Sequence, residues 1–277
     1  MSTDRYAVIG HPVTHSLSPT IHARFAEQTG EALEYGRLEP AEDGFEAAAT
    51  GFFAEGGRGL NVTVPFKAEA FGWCDRCSDR AQQAGVVNTL TLQANGWVAG
   101  DNTDGCGLVR DLVVNLDLAL AGMRVLLVGA GGGARGVLGP LLAEMPVEVV
   151  IANRTAGRAE ALAAAFAETG AVRGCGFEAL AGEPAFDVII NASAASLGGA
   201  VPPIPDSAVA RGGAVHDMMY GPKADAFLEW GREAGAATVA DGLGMLVEQA
   251  AESFRVWRGV RPDTAPVLAA LRAGTAG

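Results

Sequence analysis

Two side chains in this sequence are well suited to moving a proton. Lys67 closes the run Asn61-Val62-Thr63-Val64-Pro65-Phe66-Lys67, and Asp104 stands in the polar stretch Asp101-Asn102-Thr103-Asp104-Gly105. Hydride delivery to a ketone creates an alkoxide that needs a proton, and a lysine with a carboxylate beside it can supply one. The pattern does not bring the two together, and most lysines are surface residues. A neighbouring carboxylate favours the ammonium form of Lys67 while burial favours the neutral amine, so which of the pair transfers the proton stays open.

A second group of residues suits a dinucleotide. Arg124–Val128 is an apolar strand that runs into Gly129-Ala130-Gly131-Gly132-Gly133-Ala134, a GxGxxA turn, with a helical pattern after it. Gly129 permits the tight turn, Gly131 lets a pyrophosphate approach the backbone, and Ala134 allows close helix–strand packing. The helix start that follows offers free N–H groups and the positive end of its dipole. The next strand ends at Ala152 and is followed by Asn153-Arg154-Thr155 and Arg158. A cofactor with a free ribose 2′-hydroxyl calls for an acid about 20 positions along. Asn153, 22 positions after Gly131, is not one. Asn153 can donate, and the Arg154 guanidinium is a planar fork matched to phosphate. Arginines at a helix start oppose the dipole unless an anion sits there, so NADP fits better than NAD. A third feature is Ser16 and Ser18 before Pro19. Ser18 reads as an N-cap with proline at the first helical position, and such a start also suits a carboxylate. No arginine stands beside these serines in the sequence.

The elements that must carry these residues follow a strand–turn–helix rhythm. Tyr6–Gly10 reads as a buried strand and Pro19–Gln28 as a helix. Gly59–Pro65 alternates, with Leu60, Val62 and Val64 on one face and Asn61 and Thr63 on the other. Val86–Leu92 and Trp97–Gly100 flank Asn95-Gly96 and predict a hairpin with a type I′ turn. Strand patterns at Met123–Val128, Val147–Ala152, Asp187–Ala192, Ala214–Met218 and Thr238–Ala240 alternate with helices, as in a parallel sheet covered on both faces. Asp241-Gly242-Leu243-Gly244 opens a long helix to about Trp257. The fold class is therefore α/β.

At 277 residues with 49% hydrophobic composition, the chain can build two cores. Its net charge of −12 provides no field for nucleic acid or anionic lipid, so an anionic ligand needs a locally positive site. No apolar run is long enough to span a bilayer, and the N-terminal residues lack a signal-peptide core. Cys74 and Cys77 form a CxxC without the second pair that a zinc site needs, while Cys106 and Cys175 are isolated. No metal is expected, and reduced thiols fit a cytoplasmic protein. No apolar seam sets the oligomeric state, which reads as monomer or homodimer.

Several stretches in order resemble the shikimate dehydrogenase family of NADP-dependent oxidoreductases. They are His15-Ser16-Leu17-Ser18-Pro19, Asn61 to Lys67, Val87-Asn88-Thr89, Gly100 to Gly105, Gly129 to Arg135, Asn153-Arg154-Thr155 and Asp241 to Gln249. The resemblance runs from Tyr6 to about Leu271. It implies an N-terminal α/β substrate domain, a Rossmann-type NADP domain with a parallel sheet, and C-terminal helices returning to the first domain. The implied boundaries are 1–104 with 244–277 for the substrate domain and 105–243 for the NADP domain. Ser16 and Ser18, helped by Tyr220, would bind the substrate carboxylate. Asn61, Thr63, Asn88 and Gln249 would hold ring hydroxyls and the backbone around them. Lys67 and Asp104 would be the catalytic pair at the C3 oxygen of shikimate or 3-dehydroshikimate. Gly129, Gly131, Gly132, Gly133 and Ala134 would take the pyrophosphate turn, and Asn153, Arg154, Thr155 and Arg158 the 2′-phosphate. Ala192, Ser193, Met218 and Gly242 would line the nicotinamide half.

Two departures from the family pattern stand near that last group. Ala194-Ala195-Ser196-Leu197-Gly198 replaces a stretch usually built from Thr, Ser or Gly with a Met-like residue, and Gly221 replaces a common Asn. An NAD-using quinate/shikimate dehydrogenase would carry an acid after the second strand, against Asn153-Arg154. A non-catalytic NADP-sensing protein on the same fold would have no reason to keep Lys67, Asp104 and the hydroxyl-binding set together.

Overall fold

The structure is a computed structural model that describes residues 3–274, with the side chain of Leu197 excepted. The chain divides into two compact units, residues 1–107 with 247–277 and residues 108–246. The first unit contains β1 (Asp4–Ile9), α1 (Ser18–Thr29), β2 (Leu33–Leu38), α2 (Phe45–Ala54), β3 (Gly57–Val62), α3 (Lys67–Trp73), β4 (Arg76–Cys77), α4 (Asp79–Ala84), β5 (Thr89–Leu92) and β6 (Val98–Asp101). Helix α5 (Asp104–Arg110) leads out of it. The second unit contains β7 (Arg124–Val128), α6 (Gly132–Ala143), β8 (Glu148–Ala152), α7 (Ala156–Ala165), β9 (Val172–Cys175), β10 (Phe186–Asn191), β11 (Val209–Asp217), α8 (Asp225–Glu233) and β12 (Thr238–Ala240). Helix α9 (Leu243–Arg258) starts in the second unit and ends in the first, which α10 (Ala265–Gly274) completes.

The first sheet has strand order β2-β1-β3-β5-β6-β4 and is mixed. β1 pairs in parallel with β2 and β3, while β5 runs antiparallel to both β3 and β6. Ile9, Phe45, Leu60, Phe66 and Leu90 form its core. The second sheet, β12-β11-β10-β7-β8-β9, is parallel throughout. Its strands alternate between two cores. Val125 and Leu127 join Leu138 and Ile190 on one face, and Leu126 and Val128 join Ile189 and Phe227 on the other. This two-sided burial explains why these strands read as continuous apolar runs.

Two local expectations are corrected. Ser18 is not the N-cap of α1: Leu17 holds that place without a side-chain cap, and Ser18 is the first helical residue. The Ser16 hydroxyl oxygen accepts the Ser18 N–H (3.2 Å), which takes over the capping task. The Asn95-Gly96 turn is not type I′, because only Gly96 has positive φ (+85°). Its N–H donates to the Gln93 carbonyl (2.9 Å), so the turn begins earlier and places glycine last. The short or half-exposed strands β2, β4 and β9 lack a periodicity strong enough to mark them.

Arginines and acids fasten α9 within the first unit. Arg80 grips Asp101 with Nε and Nη2 (2.6 Å each) and reaches Glu252 Oε1 with Nη1 (3.1 Å). Arg255 and Arg261 also hold Glu252, at 2.7 and 3.0 Å. The Arg255 hydrogen bonds foremost, and Arg80 with them, outweigh burial and bring the Glu252 carboxyl down to about 2. A carboxyl below its unfolded value stabilises the fold above that value, and the contribution is lost as pH falls. Wild-type thermal stability should therefore decline between pH 4.5, the ordinary value, and pH 2. Glu252→Gln should lower stability at neutral pH and flatten that acid limb. An unchanged acid limb in a pH series of thermal melts would contradict this reading.

Candidate active site

Lys67 opens α3 directly after β3, and Asp104 opens α5 directly after β6. The mixed sheet places β5 between β3 and β6. Lys67 Nζ donates to Asp104 Oδ2 at 2.6 Å, a charge-assisted hydrogen bond. Lys67 is 21% exposed and Asp104 2%, so the lysine is the member that reaches outward. Asn88 holds the other carboxylate oxygen: its Nδ2 donates to Asp104 Oδ1 (2.9 Å) and to Thr103 Oγ1 (2.9 Å). Asn88 Oδ1 accepts the Thr103 N–H (2.8 Å) and the Thr89 hydroxyl (2.9 Å). Both Asp104 oxygens therefore act as acceptors, the pattern of an ionised carboxylate.

A buried lattice supports this pair. Asn61 Nδ2 donates to Ser253 Oγ (2.9 Å), Asn88 O (3.2 Å) and Thr89 Oγ1 (3.2 Å), and its Oδ1 accepts the Tyr35 hydroxyl (2.7 Å). The Asn61 amide is spent on protein partners. Ser253 contacts Thr89 (2.9 Å) and Thr103 (3.2 Å) and donates to Gln249 O (3.1 Å). Tyr35 is stacked by the buried His22 ring at 4.2 Å and 5°. Burial holds His22 down to about 3, so the ring is neutral. Gln249 is half-buried, and among the described residues its side chain accepts only a long bond from Asn88 (3.5 Å). The Thr63 hydroxyl has no hydrogen-bond partner among the described residues and is half-buried.

The Ser16 hydroxyl donates to Ser18 Oγ (3.1 Å). Arg37, on β2, donates to the Ser16 carbonyl (2.7 Å). An arginine thus does stand beside the serines, brought there by the pairing of β1 and β2 rather than by sequence proximity. Tyr220 belongs to the second unit, half-buried before Gly221, whose φ of +66° is a conformation that Asn also tolerates.

In the second unit the glycine turn sits at the end of β7, where the strand order reverses between β8 and β10. Open parallel sheets bind ligands at such a switch point. Gly129 has φ of +104°, and a Cβ there would meet Ser193 N at 3.1 Å. Gly131 is the N-cap of α6 and has no capping side chain; Gly131 and Gly132 are exposed. A Cβ on Gly133 would touch Met218 Cε (3.6 Å) and Ala192 O (3.7 Å), and Ala134 is fully buried. A Cβ on Gly242 would overlap Met218 O at 2.3 Å. The structure therefore gathers Gly129, Gly133, Ala192, Ser193, Met218 and Gly242 in one place. After β8, Asn153 Nδ2 donates to Thr155 O (3.0 Å), and Thr155 is the N-cap of α7. Arg154 and Arg158 are exposed and have no ion-pair partner among the described residues. An uncapped helix start and two unpaired guanidiniums form a donor set that fits a phosphorylated dinucleotide.

Sequence reasoning missed the roles of Thr103, Ser253, Tyr35, Arg37 and Asp217. Ser253 had a signal: it follows Gln249 by one helical turn, on the same face of α9. The described residues contain no cluster of three or more potential metal ligands, and no helix among them is long and apolar enough to cross a membrane.

Comparison with known proteins adds an independent line. Residues 8–90 match the shikimate dehydrogenase substrate binding domain, residues 113–198 the shikimate / quinate 5-dehydrogenase family, and residues 242–272 the shikimate 5′-dehydrogenase C-terminal domain. The chain is 58% identical to the shikimate dehydrogenase (NADP(+)) of Alkalilimnicola ehrlichii, over 98% of this chain and 99% of that one. Among solved structures, it resembles an Ael1 enzyme from Pseudomonas putida, with TM-score 0.90, 47% identity, and 97% and 98% of the two chains covered. It also resembles shikimate 5-dehydrogenase from Thermus thermophilus in complex with NADP(H) and shikimate, with TM-score 0.84, 33% identity, and 98% and 99% covered.

Proposed function

The chain belongs to the shikimate dehydrogenase family, and from that premise we propose that Lys67 and Asp104 carry the proton chemistry of its reaction. That reaction is the reversible NADPH-dependent reduction of 3-dehydroshikimate to shikimate, within aromatic amino acid biosynthesis. The single observation that carries the residue assignment is the 2.6 Å bond between Lys67 Nζ and the buried Asp104. Residues 1–107 with 247–277 form the substrate unit and residues 108–246 the NADP unit. We place the protein in the cytoplasm.

NADPH, when bound, supplies the hydride for the C3 carbonyl carbon. Lys67 donates a proton to the C3 oxygen as negative charge grows there, and takes it back in the oxidation direction. Asp104 fixes the ammonium by one oxygen, and Asn88 fixes Asp104 by the other. Partial exposure lets Lys67 recover its proton from water. Ser16 and Ser18 take the substrate carboxylate. Thr63 and Gln249 hold ring hydroxyls. Asn61 keeps Ser253 and Asn88 in place around them. For the cofactor, the exposed N–H groups at Gly131 and Gly132 hold the pyrophosphate. Asn153, Arg154, Thr155 and Arg158 hold the 2′-phosphate, and Ala192, Ser193, Met218 and Gly242 face the nicotinamide half.

The test is a spectrophotometric assay of shikimate with NADP or with NAD. Rapid appearance of the reduced cofactor with NADP, and a much slower signal with NAD, is expected. A preference for NAD, or no signal with either, would overturn the reading. The carboxylate subsite has its own check. Ser16→Ala should raise the KM for shikimate severalfold with little change in kcat, and should affect a carboxylate-free analogue less. Equal weakening of both substrates would assign Ser16 to shaping the loop that Arg37 holds.

A further inference from the structure

Asp217 takes no part in the chemistry described above, yet it is a buried carboxylate at the centre of a hydrogen-bond knot. Asn191 ends β10 and Asp217 ends β11, and the parallel register sets them opposite each other. Asp217 Oδ2 accepts from Asn191 Nδ2 (2.9 Å) and from the Ser196 hydroxyl (2.6 Å), while Oδ1 accepts the Met219 N–H (2.8 Å). A carboxylate only accepts, so it dictates which end of the Asn191 amide faces it. The other end, Oδ1, is then turned to Ser193, where it accepts both the N–H (3.0 Å) and the hydroxyl (2.7 Å). Burial pushes the Asp217 carboxyl up, against these hydrogen bonds.

The loops tied in this way carry Ser193 and Met218. Gly129 packs on the Ser193 backbone, Gly133 faces Met218 Cε, and Gly242 makes room for the Met218 carbonyl. We infer that Asp217 is a positioning residue for the nicotinamide half of NADP, acting on Ser193 through Asn191 and on Met218 through the Met219 amide. Ser196, from the turn that follows β10, supplies one of the three donors. The inference rests on the reading of Ser193 and Met218 as the nicotinamide wall.

Calorimetric titration of the full chain with NADP and with adenosine 2′,5′-bisphosphate, which lacks the nicotinamide half, tests it. Asp217→Asn should weaken NADP roughly 10-fold and leave the bisphosphate unchanged, because a buried acceptor is replaced by a group that opposes the Asn191 amide. Equal weakening of both ligands, or unchanged NADP binding, would overturn the role. If Asp217→Asn does not fold, Ser196→Ala carries the same comparison, with roughly threefold loss confined to NADP expected and no selective loss overturning it. Ser193→Ala and Met218→Ala separate the inference from its premise. Selective NADP loss in these variants, with none in Asp217→Asn, would overturn the positioning role alone. No selective loss in Ser193→Ala and Met218→Ala would overturn the nicotinamide reading and the inference with it.

Discussion

Lys67→Ala is expected to lower kcat by roughly 10²–10⁴-fold, the range for loss of a positioned proton donor. Its carbonyl still accepts the Val87 N–H, so the backbone of α3 keeps its tie to the strand region, but the change leaves Oδ2 of the buried Asp104 without its lysine partner, so a fall in melting temperature should accompany the loss. The Kd for NADP should stay unchanged, because the residues assigned to the nucleotide belong to the other unit. Steady-state kinetics with a parallel NADP titration checks both points. Near-normal kcat would remove Lys67 from the mechanism.

Arg154→Ala is expected to raise the KM for NADP roughly 10- to 150-fold, equivalent to about 1.5–3 kcal/mol for one charge-assisted phosphate contact. The KM for NAD should hardly move, since NAD has no 2′-phosphate. Arg154 is exposed and has no ion-pair partner among the described residues, so its removal leaves no buried group unsatisfied. Equal losses with both cofactors would mean that Arg154 supports the start of α7 instead.

The nucleotide turn was legible because its demands are local. Gly129 needs positive φ, Gly131 needs an open approach, and the strand and helix on either side announce themselves by hydrophobic pattern. Lys67 and Asp104 were legible as candidates only, because the strand order β3-β5-β6 that joins them is a property of the sheet. The Asp217 knot was not legible. Nothing near Asp217 in sequence marks Asn191 as its partner, and their meeting follows from the parallel register of β10 and β11. Arg37 was missed for the same reason, since it reaches Ser16 from the neighbouring strand β2. Ser18 was misread because a local rule, serine before proline, ignored the competing acceptor at Ser16. Asn61 was placed on the correct face of β3, but its commitment to Tyr35 and Ser253 depends on β2 and α9.

The central claim is that Lys67 and Asp104 act as one unit on the reacting oxygen. A double-mutant cycle with Lys67→Ala, Asp104→Asn and the pair, reading kcat for shikimate oxidation by NADP, tests it most directly. Residues that serve one proton-transfer step are non-additive, so the double variant should be little slower than the slower single variant. Losses that multiply would show that the two residues act independently and would contradict the account.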